Sequence, residues 1–178
     1  IGTQRVRRKD SLAKSTGTAR FTIDVKADGL ITAMVAHEPR FGGKVKSFDA
    51  ADAKKVAGVI DVVEIPSGVA VLAENTWAAR QGRDALKVEW DETDAEQRSS
   101  DQIMAQFRDI AAGKGATDLK WAAFDSKGDA NAQGEGETVE LAYDFPYLAH
   151  ATMEPMNCVA QIKDGKTKLT FASQIPTL

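Results

Sequence analysis

Few side chains in this sequence are spaced to do chemistry together. His150 and Glu154 stand four residues apart in the run His150-Ala151-Thr152-Met153-Glu154-Pro155. An imidazole and a carboxylate at that spacing can act as an acid–base pair. Pro155 and the lack of a nucleophile weigh against this, so the residues favour a buried structural hydrogen-bond cluster. Cys158, the only cysteine, would give a thiol hydrolase if His150 activated it. It sits inside an apolar, strand-like run, where a cysteine packs as a small hydrophobe. Gln174 follows a second such run, and its amide can both donate and accept. On the residues alone Gln174 is a capped strand end, although a polar side chain there is well placed to face a ligand.

Other ligand chemistries find little support. Gly113-Lys114-Gly115-Ala116-Thr117 resembles part of a phosphate loop but lacks the first glycine, and Gly42-Gly43 reads better as a turn or a close backbone approach. His37 and His150 are the only histidines and lie far apart, which disfavours zinc. One cysteine excludes four-cysteine iron–sulfur ligation within the chain and any internal disulfide. The 23 basic and 26 acidic residues leave a net charge of −3, without the basic footprint of a nucleic-acid binder. No apolar run approaches the ~18 residues of a membrane span, so no transmembrane segment is expected. Hydrophobic residues at 43% suffice for a core in 178 residues, enough for one domain or one and a half.

The elements that must hold these residues can be read in order. Residues 1–16 are polar and basic, with Arg5, Arg7, Arg8 and Lys9, and read as an extended arm. Alternation predicts strands over Phe21–Val25, Leu30–Ala36 (apolar enough to be central), Val45–Phe48, Val59–Ile65, Val69–Ala73 and Lys87–Trp90. Asp49 is placed to cap a short helix over Ala50–Ala57, and Asn75 to cap one over Thr76–Leu86, with Trp77 expected to be buried. Ser99 and Gln102 form a capping-box pattern before a helix whose Ile103, Met104, Phe107 and Ile110 stripe reads as core packing. Residues 113–136 are glycine-rich loop, with Trp121 and Phe124 as candidate anchors. Thr138–Asp144 alternates as a strand. Met156–Lys163 and Lys166–Ser173 form a hairpin about Asp164-Gly165, a pair suited to a type I′ turn. Pro176 is expected to stop the pairing. Strands and helices intermingle without strict βαβ alternation, which predicts an α+β fold.

His150-x-x-Met153-Glu154-Pro155, the hairpin, and Ser173-Gln174-x-Pro176 together resemble the molybdenum hydroxylases, the xanthine dehydrogenase and aldehyde oxidase family. Further matches are residues 14–25, Phe41-Gly42-Gly43-Lys44-Val45, Gly58–Val63 and Asn75–Ala79. The likeness is strongest to the branch of β (molybdenum) subunits that includes isoquinoline 1-oxidoreductase and related aldehyde dehydrogenases, and weakest over residues 95–136.

The resemblance implies an internal segment of a larger subunit. Residues 1–16 would be a linker, 17–95 an α/β hammerhead domain with a mixed sheet, 96–136 a connector and 137–178 the start of a molybdopterin-binding domain. It implies a molybdopterin cofactor, in its cytosine dinucleotide form, and a small [2Fe–2S] partner subunit. The substrate would be an N-heterocycle or an aldehyde, hydroxylated with oxygen from water. A glutamine at the position of Gln174 contacts an oxygen ligand of the molybdenum centre in that family. The activating glutamate and the glycine-rich cofactor segments belong elsewhere in the subunit, so this chain by itself is expected to be inactive. Any export signal would lie ahead of Ile1, leaving periplasm and cytoplasm open. The rival reading is a non-catalytic α+β protein-interaction module.

Overall fold

The computed structural model describes residues 8–114, 125, 127–129, 134 and 136–174. In chain order these form α1 (Ser11–Ser15), a 3-10 turn at Thr22–Asp24, β1 (Thr32–Ala36), β2 (Lys44–Asp49), a 3-10 turn at Ala53–Lys55, β3 (Val59–Ile65), β4 (Gly68–Ala73), α2 (Thr76–Ala85), β5 (Lys87–Asp91), α3 (Ser100–Ala111), β6 (Cys158–Lys163) and β7 (Lys166–Phe171). The fold class is α+β, with small antiparallel sheets and few helices. Chain contacts divide it into two units, one of residues 30–137 and one joining 1–29 to 138–178.

In the first of these, β4 is the central strand of the order β1-β4-β3, and β2 pairs separately with β5. Every pairing among the described residues is antiparallel, where a mixed sheet was expected. The central strand is β4 rather than the Leu30–Ala36 run. Val69, Val71 and Ala73 share one face of it and are fully buried. Val69 and Val71 pack with Ala53 and Val62, and with Val45, Phe48 and Val88 of the β2–β5 ribbon. Ala73 meets Ala78 and Ala79 of α2, with Met34 alongside.

Helix α2 starts as its sequence predicts. Asn75 is extended, and its side chain accepts from the Ala78 N–H at 3.0 Å. The helix lies on the sheet through its small residues. A Cβ added to Gly82 would stand 2.7 Å from Val59 Cγ2 and 2.8 Å from Val71 Cγ1. That approach puts Ala78, Ala79 and Gly82 inside and turns Trp77 outward, 64% exposed. The expectation of a buried Trp77 is therefore corrected. Trp77 instead lines a shallow surface groove with Arg80, Gln81, Asp84 and Ala85. Trp77→Ala should shift unfolding free energy by less than about 1 kcal/mol, as for an exposed position. A loss of ~3–5 kcal/mol in denaturant titration, the cost of emptying a buried aromatic site, would contradict this placement.

Four other local expectations change. The expected extended arm of residues 1–16 is helical over Ser11–Ser15, where Lys14 N–H donates to the Asp10 carbonyl at 3.0 Å. The Ala50–Ala57 helix shrinks to the Ala53–Lys55 turn, because the Asp49 carboxylate accepts from Ala51 N–H at 2.8 Å and holds a turn there. Phe21–Val25 is not a strand. Asp24 accepts from the Phe21 N–H at 2.9 Å and closes a 3-10 turn instead. On α3 the Ser99–Gln102 capping box forms in both directions, but no residue of the helix is fully buried and Phe107 stays 42% exposed.

The unit of 1–29 with 138–178 is organised differently. Asp164 and Gly165 both take positive φ, 51° and 71°, and close the β6–β7 hairpin on the pair Lys163↔Lys166. Opposed pairs share a face. Cys158/Phe171, Ala160/Leu169 and Ile162/Thr167 make one face, which is exposed; on the other, the pair Val159/Thr170 is half-buried. Cys158 is thus an exposed thiol, not the packed hydrophobe expected of it. Thr138–Asp144 forms no strand, and Val139, Leu141, Tyr143, Phe145, Tyr147 and Leu148 are exposed along residues 138–148. Alternation alone cannot make a strand, whose backbone groups need a partner ladder. The Pro176 pairing stop, the Trp121 and Phe124 anchors, Arg5 and Arg7, and most of the 113–117 run lie outside the described residues.

Candidate functional site

Gln174 is placed by β7. The strand rises from the tight turn at Asp164-Gly165 and ends at Phe171, paired with Cys158. Gln174 follows three residues later in a bend, with its side chain exposed. The expectation of a polar amide delivered at a strand end holds in this geometry. Ser173 beside it is also exposed.

The other arm of the hairpin starts from the turn that carries His150 and Glu154. Ala151, just after His150, takes φ +44°, and the chain bends at Met153 and Glu154. Thr152 Oγ1 donates to the Glu154 carbonyl at 2.8 Å. The Glu154 carboxylate is half-buried, and its Oε1 accepts from the Ile23 backbone N–H at 3.1 Å and from Asn157 Nδ2 at 3.0 Å. Asn157 Nδ2 also donates to the Pro155 carbonyl at 2.8 Å. This is a structural hydrogen-bond cluster of the kind the residues favoured, but it is only partly buried and His150 is not in it. His150 is exposed and makes no hydrogen bond to Glu154. The acid–base pair is therefore not assembled. Ile23 is the partner that sequence reasoning missed. A backbone N–H in a polar-flanked turn carries no residue-type signature that would have singled it out.

No group of three or more histidine, cysteine or carboxylate side chains among the described residues is arranged to hold a metal. His37, the other histidine, has its Nδ1 2.9 Å from the Ser67 carbonyl, joining the loops that flank β1 and β4. Nor is any helix among the described residues long and apolar enough to cross a membrane.

No family model matches the chain. Among curated proteins it is similar to "Membrane-bound aldehyde dehydrogenase [pyrroloquinoline-quinone]" of Gluconacetobacter polyoxogenes, 33% identical over 193 aligned positions covering the whole chain and 24% of that protein. It is also similar to "Isoquinoline 1-oxidoreductase subunit beta" of Brevundimonas diminuta, 30% identical over 181 positions, covering 96% of the chain and 23% of that subunit. Among solved structures, quinoline 2-oxidoreductase from Pseudomonas putida 86 aligns with 48% of the chain and 16% of its own length, at 18% identity and a TM-score of 0.39. The Cu,Mo-CO dehydrogenase aligns with 51% of the chain and 15% of its own length, at 16% identity and a TM-score of 0.41. The chain spans about a quarter of the length of its two curated relatives. Over that quarter it is similar to an aldehyde dehydrogenase and to an isoquinoline 1-oxidoreductase β subunit, and the resemblance to the molybdenum hydroxylase family read from its motifs is borne out.

Proposed function

We propose that this chain is a segment of the molybdenum-containing subunit of an oxidoreductase that hydroxylates an aldehyde or an N-heterocyclic carbon with oxygen taken from water. The observation that carries the reading is the match along the whole chain to an aldehyde dehydrogenase and to an isoquinoline 1-oxidoreductase subunit. In this reading residues 1–16 are a linker, 17–95 the α/β hammerhead domain, 96–136 a connector and 137–178 the opening of the molybdopterin-binding domain. The cofactor is molybdopterin in its cytosine dinucleotide form, and the partner is a small [2Fe–2S] subunit that takes the electrons onward.

Gln174 fits a cofactor contact, because its amide is exposed beyond the end of a paired strand. When bound, the cofactor supplies the two-electron acceptor for oxidation of a C–H bond. The chain's own contribution would be the Gln174 amide, an N–H donor that would hold the cofactor and stabilise negative charge developing on it in the transition state. Glu154 is engaged by Ile23 and Asn157, and the family resemblance implies that the activating base comes from outside this segment.

The name of the Gluconacetobacter relative favours a second reading, quinone-dependent aldehyde oxidation. Turnover of aldehydes and N-heterocycles in 18O-labelled water, with and without added pyrroloquinoline quinone, separates the two. The full-length subunit with its iron–sulfur partner should oxidise at least one of these substrate classes without added quinone and place the label in the product. Oxidation restricted to aldehydes and dependent on added pyrroloquinoline quinone would overturn the proposal.

A further inference from the structure

We propose that Glu154 is a positioning residue for Gln174, holding the hairpin whose far strand delivers that amide. This rests on the reading of Gln174 as a cofactor contact. Glu154 bridges two places far apart in the chain through a single oxygen. Its Oε1 accepts from Ile23 N–H, 131 residues upstream, and from Asn157 Nδ2. Both ends of the bridge are set independently. Ile23 sits in the Thr22–Asp24 turn, closed by Phe21 N–H donating to Asp24 Oδ2 at 2.9 Å and by Val25 N–H donating to the Thr22 carbonyl at 3.1 Å. Thr22, next to Ile23, is the one buried residue among the described residues of this unit. Asn157 immediately precedes Cys158, the first residue of β6, and Cys158 pairs with Phe171, the last residue of β7.

The consequence follows from this connectivity. A two-stranded hairpin with one face exposed has little of its own to fix its direction. The half-buried pair Val159/Thr170 lies on the opposite face from the exposed Phe171 and Leu169, next to the end that Glu154 ties down. The latch therefore acts at the end of the hairpin from which Gln174 emerges, and the Asp164-Gly165 turn lies at the other end. Two N–H donors on one carboxylate oxygen are charge-assisted and stronger than neutral bonds. A neutral carbonyl oxygen in the same place can accept the same two donors.

Two measurements test this. In the complete subunit, hydrogen exchange at the Ile23 amide should quicken about 5-fold or more in Glu154→Ala. Glu154→Gln should keep most of the protection, because its Oε1 can still accept. In the complete subunit with its partner, Glu154→Ala should lower kcat by about 10–10²-fold, the order of cost of a small misplacement. KM and metal content should be unchanged, and Glu154→Gln should restore the rate. The loss should vanish when Gln174 is already alanine, since two residues acting through one contact are not additive. Additive losses, or an Ile23 exchange rate indifferent to Glu154→Ala, would overturn the proposal. If Gln174→Ala leaves turnover normal while Ile23 exchange still responds, the latch exists but has no amide to position. That outcome removes the proposal through its premise, and is distinguishable from failure of the latch itself.

Discussion

Gln174→Ala in the complete enzyme should lower kcat by about 10²–10³-fold and leave KM nearly unmoved. The size is that of losing one positioned donor to developing charge, roughly 2.7–4 kcal/mol. The split between kcat and KM follows from the proposed role of the amide, which touches the cofactor rather than the substrate. The amide is exposed, three residues beyond the end of β7, whose last residue Phe171 pairs with Cys158. An interaction made mainly in the transition state is lost from kcat and from kcat/KM alike. Molybdenum content must be measured in parallel, because a variant that fails to load metal would also be slow. Normal turnover at normal loading would return Gln174 to the role of a strand end.

The largest effect on folding is expected at Gly68. It opens the central strand β4 with φ +144°, a region that side-chain-bearing residues rarely adopt. A Cβ there would stand 2.1 Å from the Ala36 carbonyl oxygen and 3.1 Å from its carbon. The obstacle is backbone of the neighbouring strand β1, so no rotamer change can relieve it. Overpacking costs ~1–3 kcal/mol and a disallowed backbone conformation a further ~1–3 kcal/mol. Gly68→Ala should therefore destabilise the 30–137 unit by about 3 kcal/mol or more, read as a lowered denaturation midpoint. Gly113→Ala is a useful control for backbone strain alone, since Gly113 has φ +73° and nothing within 4 Å of an added Cβ. Equal midpoints for the two variants would contradict the steric account.

Local signals carried much of the fold. The span of β3 was readable to the residue, and the hairpin turn was set by Asp164-Gly165. The starts of α2 and α3 were readable because a capping side chain and its backbone partner are three residues apart. What failed needed information from outside the segment. Trp77 reads as buried when hydrophobicity alone chooses the inner face of α2. The close approach at Gly82 made a face of alanines the better fit to the sheet. Cys158 and Thr138–Asp144 read as packed strand residues, yet among the described residues nothing covers the Cys158/Phe171 face and no strand pairs with 138–144. At the candidate site the amide of Gln174 was legible from its place after a strand. The engagement of Glu154 was not, because its partner is a main-chain group 131 residues away.

The central claim is that the chain is part of a molybdenum subunit, and cofactor content tests it most directly. The full-length subunit, purified with its iron–sulfur partner, should hold about one molybdenum per subunit by mass spectrometry and release a cytosine dinucleotide pterin on denaturation. A subunit active at full rate with no molybdenum, and with pyrroloquinoline quinone in its place, would contradict the account.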